Sequence, residues 1–264
     1  MNSKISFTVI LAVFSLGLLN AEEFFKITKP EDFRKPAGIV QENDILIIKG
    51  KKELLSNQKL VLDPAKKYRL SGQFRLQSGS PVRVWMGYNA LDSKGRTIYP
   101  IYVLARSGTE TELAEDVKPG DKVIKIKDGS KWNANSPYTL IAFNAKDDFS
   151  DLPNRAVDRI VKDGVKQNGG VWEITLKSPT KQKFAAGTKV RQHADGATHI
   201  WNAGHVDLKN QWVTARGILQ GSVKVGNPRH KLWPGTKNVR LLIQVNGKPD
   251  SVTELRGIKI EEIQ

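Results

Sequence analysis

The chain has 264 residues, with 42 Lys and Arg against 27 Asp and Glu, a formal net charge of +15, and no cysteine. The lack of cysteine excludes a disulfide framework and a Cys-linked lipid anchor, so stability has to come from a hydrophobic core, with or without a bound ion. The positive balance favours anionic partners such as nucleic acid, a membrane surface or an acidic polymer.

Residues 1–21 read as a cleavable export signal, with Lys4 in a positive leader, an apolar run from Ile5 to Leu19, and Ala21 before the polar Glu22-Glu23. The run is too short to span a bilayer, and no second apolar stretch of that kind follows it. The mature chain is therefore expected to be secreted or periplasmic and to carry no membrane span. For an exported protein, an acidic polysaccharide or other glycan is a more natural anionic partner than nucleic acid.

Helical periodicity is almost absent. A short turn is predicted at Lys29-Pro30-Glu31-Asp32-Phe33, and the rest consists of short β-rich runs separated by Gly, Pro, Asn and Asp. Glu22 to Gly38 reads as an edge strand and loop, Asp44 to Ile48 as a buried strand, and Gln58 to Asp63 as a further run. The clearest signal is Tyr68 to Asp92, in which two alternating runs flank Gln77-Ser78-Gly79-Ser80-Pro81 and read as a hairpin. Tyr68, Leu70, Gly72, Phe74 and Leu76 share one face, as do Val82, Val84, Met86, Tyr88 and Ala90. A side-chain period of two puts Gln73, Arg75, Arg83, Trp85 and Asn89 on the opposite, polar face.

Thr97 to Leu104 is another apolar run, and then the pattern changes. Residues 109–191 are expected to form a small β subdomain inserted in a loop of a larger sandwich made of 22–108 and 192–264. Trp132 and Trp172 would pack the insert, and the polar stretch 144–170 is its expected long surface loop. Gln211 to Gln220, Val239 to Asn246 and Gly257 to Ile263 are closing strands. Trp212 is expected in the core. Trp233, within Pro228-Arg-His-Lys-Leu-Trp-Pro-Gly235, is expected at the tip of an exposed basic loop.

Leu54-Leu-Ser56, Leu60-Val-Leu-Asp-Pro64, Tyr68-Arg-Leu-Ser-Gly72, Tyr88 with Asp92-Ser-Lys-Gly95, Gln211-Trp-Val-Thr214 and Gly257-Ile-Lys-Ile260 occur in this order. In that order the chain resembles the galactose-binding-like jelly rolls of carbohydrate-binding modules. The stretch from Leu113 to Val190, with its Pro-Gly-Asp turn and Ala-Gly-Thr-x-Val end, resembles a small β unit of secreted bacterial polysaccharide-associated proteins. The resemblance implies an all-β jelly-roll sandwich with an inserted β subdomain. Such modules often hold a structural calcium with acidic residues near both termini. Here Arg256-Gly257 stands where an acidic pair is usual, which leaves only Asp44, Asp92 and Glu261 as ligands, without a spacing that unites them.

A glycan site needs flat aromatic surface against pyranose C–H groups and side chains that bond hydroxyls; acidic sugars also call for arginine forks. On this ground Arg75, Arg83 and Trp85 are the expected centre of a ligand site, with Gln73 and Asn89 beside them and Trp233 as a secondary contact. No cofactor and no catalytic metal are expected, since His193, His199 and His205 offer two ligands at best. The expected function is non-catalytic binding of an acidic, uronate or sulfated polysaccharide. The alternatives are a lyase on uronate polymers, drawing on Arg83, Arg191, His193, His199, Tyr99 and Tyr102, and a structural or adhesion module. Asp147, Asp148 and Asp151 read as a solvated loop tip rather than a glycosidase pair.

Overall fold

The computed structural model describes residues 22–264, and the expected export signal lies outside them. The chain opens with β1 (Glu22–Ile27), a 3-10 turn at Pro30–Asp32, β2 (Ile39–Glu42), β3 (Ile45–Lys49) and β4 (Lys52–Leu55). β5 (Lys67–Ser78) and β6 (Arg83–Leu91) follow, then a short helix α1 (Pro100–Val103). Next come β7 (Thr111–Glu112), β8 (Val123–Ile126), β9 (Thr139–Phe143), β10 (Val157–Asn168), β11 (Val171–Leu176) and β12 (Lys189–Ala194). β13 (His205–Asp207), β14 (Val213–Gln220), β15 (Asn238–Asn246) and β16 (Val252–Ile263) complete the chain.

Two antiparallel sheets form a jelly-roll sandwich. One has the order β14-β5-β16-β3-β2, with β1 also on β16, and the other the order β13-β6-β15-β4. Between them Leu70, Phe74, Val84, Met86, Tyr88, Leu241, Ile243, Leu255 and Ile260 are all fully buried in one cluster. Each such side chain contributes about 1.5–3 kcal/mol relative to exposure. The Tyr88 hydroxyl avoids an unpaired burial by donating to the Lys231 carbonyl at 2.8 Å. Among the described residues no helix is long and apolar enough to cross a membrane.

The alternation in Tyr68 to Asp92 is as expected, but the pairing is not. β5 and β6 do not form a hairpin. β5 pairs with β14 and β16, whereas β6 pairs with β13 and β15, so the turn between them crosses from one sheet to the other. Their apolar faces meet through the core and their polar faces point away from each other. A sandwich corner and a hairpin turn have the same local signature, and only the long-range partners distinguish them.

Residues from Thr111 to Ala194 build a third sheet, ordered β7-β12-β9-β10-β11-β8. Hydrogen bonds from Lys127 N–H to the Glu112 carbonyl and from Ala114 N–H to the Lys125 carbonyl, each 2.9 Å, join its first and last strands. The sheet thus closes on itself around Leu113, Ile124, Ile126, Phe143, Ile160, Ile174 and Val190. Trp132 is buried in this cluster and Trp172 packs against it. The expectation of one long loop over 144–170 is corrected here. β10 occupies 157–168, and its half-exposed, charged residues hid a strand that has one face in water.

The pair of Asp92 with Arg155 fastens this barrel to the sandwich, and further charged groups are buried beside it. The Asp92 carboxylate accepts the Arg96 and Arg155 guanidiniums, each at 2.9 Å, together with the backbone N–H groups of Lys94 and Arg96. Burial raises the Asp92 pKa, but these hydrogen bonds outweigh it and hold the carboxyl down at about 2. Arg191, wholly buried, pairs with Asp151 at 2.9 Å and lies over Phe149. Beside it, His193 lies 2.9 Å from the Ile101 carbonyl through Nδ1. A carbonyl only accepts, so Nδ1 carries the proton, and the buried Nε2 is left bare.

Burial, reinforced by the nearby Arg191 cation, lowers the His193 pKa from 6.5 to about 4, against the smaller opposing effects of the Ile101 carbonyl and Asp151. The folded value lies below the unfolded one, so protonation favours unfolding. The stabilisation is complete above pH 6.5 and is lost as pH falls towards 4. Denaturant titrations should show roughly 3 kcal/mol less stability at pH 4 than at pH 7. In His193→Gln, which keeps a donor towards Ile101, most of that decline should vanish.

Candidate functional site

The crossover between β5 and β6 divides the expected ligand residues between two surfaces. Gln73 and Arg75 lie on the outer face of the β5 sheet. Arg83, Trp85 and Asn89 lie on the outer face of the β6 sheet, with the whole core between the two groups. The expected centre of Arg75, Arg83 and Trp85 therefore does not exist as one site. Trp233 is not an exposed loop aromatic either. It is 3% exposed, belongs to the core cluster, and donates its indole N–H to the Pro228 carbonyl at 3.1 Å. Pro234 and Gly235 suggested a surface turn, but the indole is folded inward beneath it.

On the β5 sheet, Arg69, Ser71, Gln73 and Arg75 form an outward row. Directly opposite on β16 stand Glu261, Lys259, Arg256 and Glu254, and on β14 Arg216 faces Ser71 and Thr214 faces Gln73. The strand β16 keeps this arrangement only through a bulge between Arg256 and Lys259, where Gly257 takes φ 57°. The extra residue shifts the phase, so that Arg256 and Lys259 both face out while Ile258 and Ile260 remain in the core. A groove of about 350 Å³ runs along this surface, lined by Arg69, Ser71, Gln73, Thr214, Arg216 and Lys259 among others.

The groove is cationic. Its own lining carries Arg69, Arg216 and Lys259 against Glu261, and the sheet face around it adds Arg75 and Arg256 against Glu254. Glu254, 3% exposed, is paired with Arg75. Glu261 accepts Arg69 at 2.9 Å and Lys259 at 2.6 Å. Burial raises the Glu261 pKa, and these two cations more than reverse that effect. Arg256 Nε donates to the Gln73 amide oxygen at 2.9 Å, and the exposed Arg216 has no carboxylate partner among the described residues.

Trp212, expected in the core, lies on this outer face instead. The Arg256 and Arg75 guanidiniums sit 4.1 Å and 4.9 Å from its ring centroid. An indole held by two cations fixes guanidinium planes against a wall. The sequence signal was present in Val213, which has to face inward opposite Phe74 and so turns the neighbouring Trp212 outward.

The other outer face holds Trp85, half-buried, with Trp201 at 5.7 Å and His205 at 4.5 Å between ring centroids. Arg83 is neutralised by Asp207 at 2.7 Å, and Asn89 stands opposite Arg240. Trp201 carried no expectation from the sequence. It reaches Trp85 because the segment before β13 lies along β6, with Tyr88 N–H bonded to the Ile200 carbonyl at 3.0 Å.

The residues weighed for lyase chemistry are scattered. Arg191 and His193 are enclosed at the barrel seam, Tyr99 and Tyr102 lie 6.1 Å apart by α1, and Arg83 and His199 lie on the β6 sheet side. Asp151, Asp147 and Asp148 serve Arg191, Lys189 and the Ser150 backbone respectively. Of the carboxylates weighed for calcium, Asp92 and Glu261 are each held by two cations. No group of three or more His, Asp or Glu suited to a metal ion is found among the described residues. A larger cleft of about 560 Å³ opens near the barrel, between Arg106, Lys131, Asn133 and Tyr138. The Gln192 and Asn133 groups that line it are largely bonded to each other.

No family model and no curated protein matches the sequence. Among solved structures, the chain is similar to the CBM22-1 xylan-binding domain of Xyn10C from Paenibacillus barcinonensis, with 10% identity, 93% of this chain and 94% of that one covered, and a TM-score of 0.34. A structure titled "CBM4 structure and function" shares 9% identity over 94% of this chain and 81% of that one, with a TM-score of 0.30. The carbohydrate recognition domain of Emp47p shares 12% over 92% and 94%, with a TM-score of 0.31. Likeness at this distance transfers neither ligand nor site, and the fold assignment rests on the chain's own sheets.

The two relocated tryptophans should differ sharply on truncation. Trp233→Ala removes a buried ring and should cost about 3–5 kcal/mol in denaturant unfolding. Trp212→Ala loses two cation–ring contacts on a wet face and should cost about 1 kcal/mol. Equal losses would refute the outward placement of Trp212.

Proposed function

We propose that the protein is an exported, non-catalytic binder of an acidic polysaccharide, and that the ligand lies along the outer face of β14, β5 and β16. The observation that carries this reading is a sheet face on which five cations stand against two carboxylates, with a groove at its middle lined by Arg69, Arg216 and Lys259 against Glu261 and by amide and hydroxyl groups between them. Arg216 and Arg256 offer paired donors suited to a carboxylate or sulfate, and Arg256 is already braced by Trp212 and Gln73. Thr214 and Ser71 supply hydroxyl-bonding groups along the same row. An open groove on a sheet face admits the middle of a long chain, as a polymer ligand requires. The charge of +15, or +15 − 1 = +14 once Lys4 leaves with the signal, adds a field that draws a polyanion in.

Affinity electrophoresis through gels containing polygalacturonate, alginate or a sulfated galactan should retard the protein, and neutral dextran should not retard it by way of this groove. Arg216→Ala removes a cation without uncovering a buried carboxylate. It should weaken acidic-polymer binding by about 1 kcal/mol, roughly fivefold in Kd, at unchanged stability. Retention should fall as NaCl is raised from 0.1 M to 1 M and the screening length drops from about 10 Å to about 3 Å. Equal retention of wild type and Arg216→Ala on every acidic polymer would remove the groove from consideration.

A further inference from the structure

The outer face of the β6 sheet carries a second feature, separate from the cationic groove. His199, Trp201, Trp85 and His205 follow one another as a row of rings, with centroid spacings of 5.1, 5.7 and 4.5 Å and interplanar angles of 54°, 43° and 44°. Each neighbouring pair is tilted rather than stacked. The two indoles and His199 are half-buried and His205 is exposed, so each ring keeps part of its surface in water.

The backbone is shaped to make this row. Opposite Trp201, β6 has Gly87, and a Cβ there would lie 1.8 Å from the Ile200 carbonyl oxygen and 2.9 Å from the Trp201 Cα. Only a residue without a side chain lets the 200–204 segment lie this close to the sheet. Met86 and Tyr88, on either side of Gly87, bond that segment through Gly204, Ala203 and Ile200. The turn that follows sets His205 opposite Trp85 in β13.

The fringe is polar, and the Arg240 guanidinium, opposite Asn89, donates to the Ser56 and Asn57 carbonyls. Gln244 stands directly opposite Trp85, and Glu53 opposite Gln244. Glu53 lies 3.6 Å from His199, and Arg83 is matched by Asp207. A row of ring faces with an amide and a carboxylate alongside suits the apolar faces and equatorial hydroxyls of pyranoses. The ring spacing is close to the length of one pyranose unit. A protein partner would need about 800 Å² of matching surface; the row is one ring wide, and the strongly exposed apolar side chains such as Val61, Tyr138 and Ile218 are not part of it.

We infer that the His199–Trp201–Trp85–His205 row is a second saccharide-binding site, specific for an uncharged pyranose chain and independent of the cationic groove on the opposite sheet. The test uses the whole exported chain in affinity gels of galactomannan, soluble β-glucan and xylan, with polygalacturonate as the acidic arm. Wild type should be retarded by at least one neutral polymer. Trp85→Ala and Trp201→Ala should each weaken that retention about tenfold and leave the polygalacturonate arm unchanged, and Arg216→Ala should do the reverse. Trp85→Phe, which keeps a ring, should retain part of the binding and guards against loss through misfolding. Failure of the polygalacturonate arm alone would fault the groove and leave this site standing. No retention by any neutral polymer, or equal retention by wild type and both alanine variants, would overturn it. So would sedimentation showing a dimer that Trp201→Ala converts to a monomer, because the row would then be a contact between copies.

Discussion

Mutual burial of the alternating apolar faces of β5 and β6 is the contact on which the rest of the molecule depends. Leu70 and Phe74 from one strand and Val84, Met86 and Tyr88 from the other have no accessible surface left in the shared core. A one-residue slip in either strand would turn its whole apolar set into water, so the register of both sheets is set by this burial. It also sends the two polar faces in opposite directions. The cationic groove and the ring row are the outer sides of the same pair of strands, held apart by the core between them.

Charge is distributed according to the same division. On the β6 side Arg83 is matched by Asp207, while Arg240 and Lys52 are held by backbone carbonyls. At the barrel seam Asp92, Asp151 and their arginines are matched in burial, where an unpaired charge could not survive. On the β5 side the buried carboxylates Glu254 and Glu261 align Arg75, Arg69 and Lys259 without cancelling Arg216 and Arg256. The acids there act as pins that hold guanidinium and ammonium groups outward and in register.

Much of this was legible in the sequence. Period-two alternation assigned the buried and polar faces of β5 and β6 residue by residue, and the composition indicated an all-β chain. What local pattern does not encode is which strand pairs with which, and that missing information broke up the expected site. The same gap misplaced two tryptophans. Trp212 neighbours small residues that resemble a core strand, yet the inward Val213 dictates the opposite face; Trp233 sits in a Pro- and Gly-bounded loop that folds under itself. The bulge at Gly257 is invisible to any reading based on strict alternation, although it decides where Arg256 and Lys259 point. Trp201 becomes significant only once Gly87 is known to lie beneath its backbone.

The way the barrel joins the sandwich has a further consequence. The chain leaves and returns at one point, where Ala105 bridges His193, Arg106 N–H bonds the Gln192 carbonyl, and Ala194 N–H bonds the Leu104 carbonyl, both at 2.9 Å. A segment joined through two adjacent ends interrupts no strand of the host sheets, the geometry in which insertions are tolerated. What resists removal is the ionic clamp rather than the backbone. A chain shorn of the barrel would leave Asp92 with Arg96 as its remaining cation and expose the side of α1 that His193 now covers. None of the sandwich sheets includes a barrel strand, and the two are joined at this junction and by the ionic clamp.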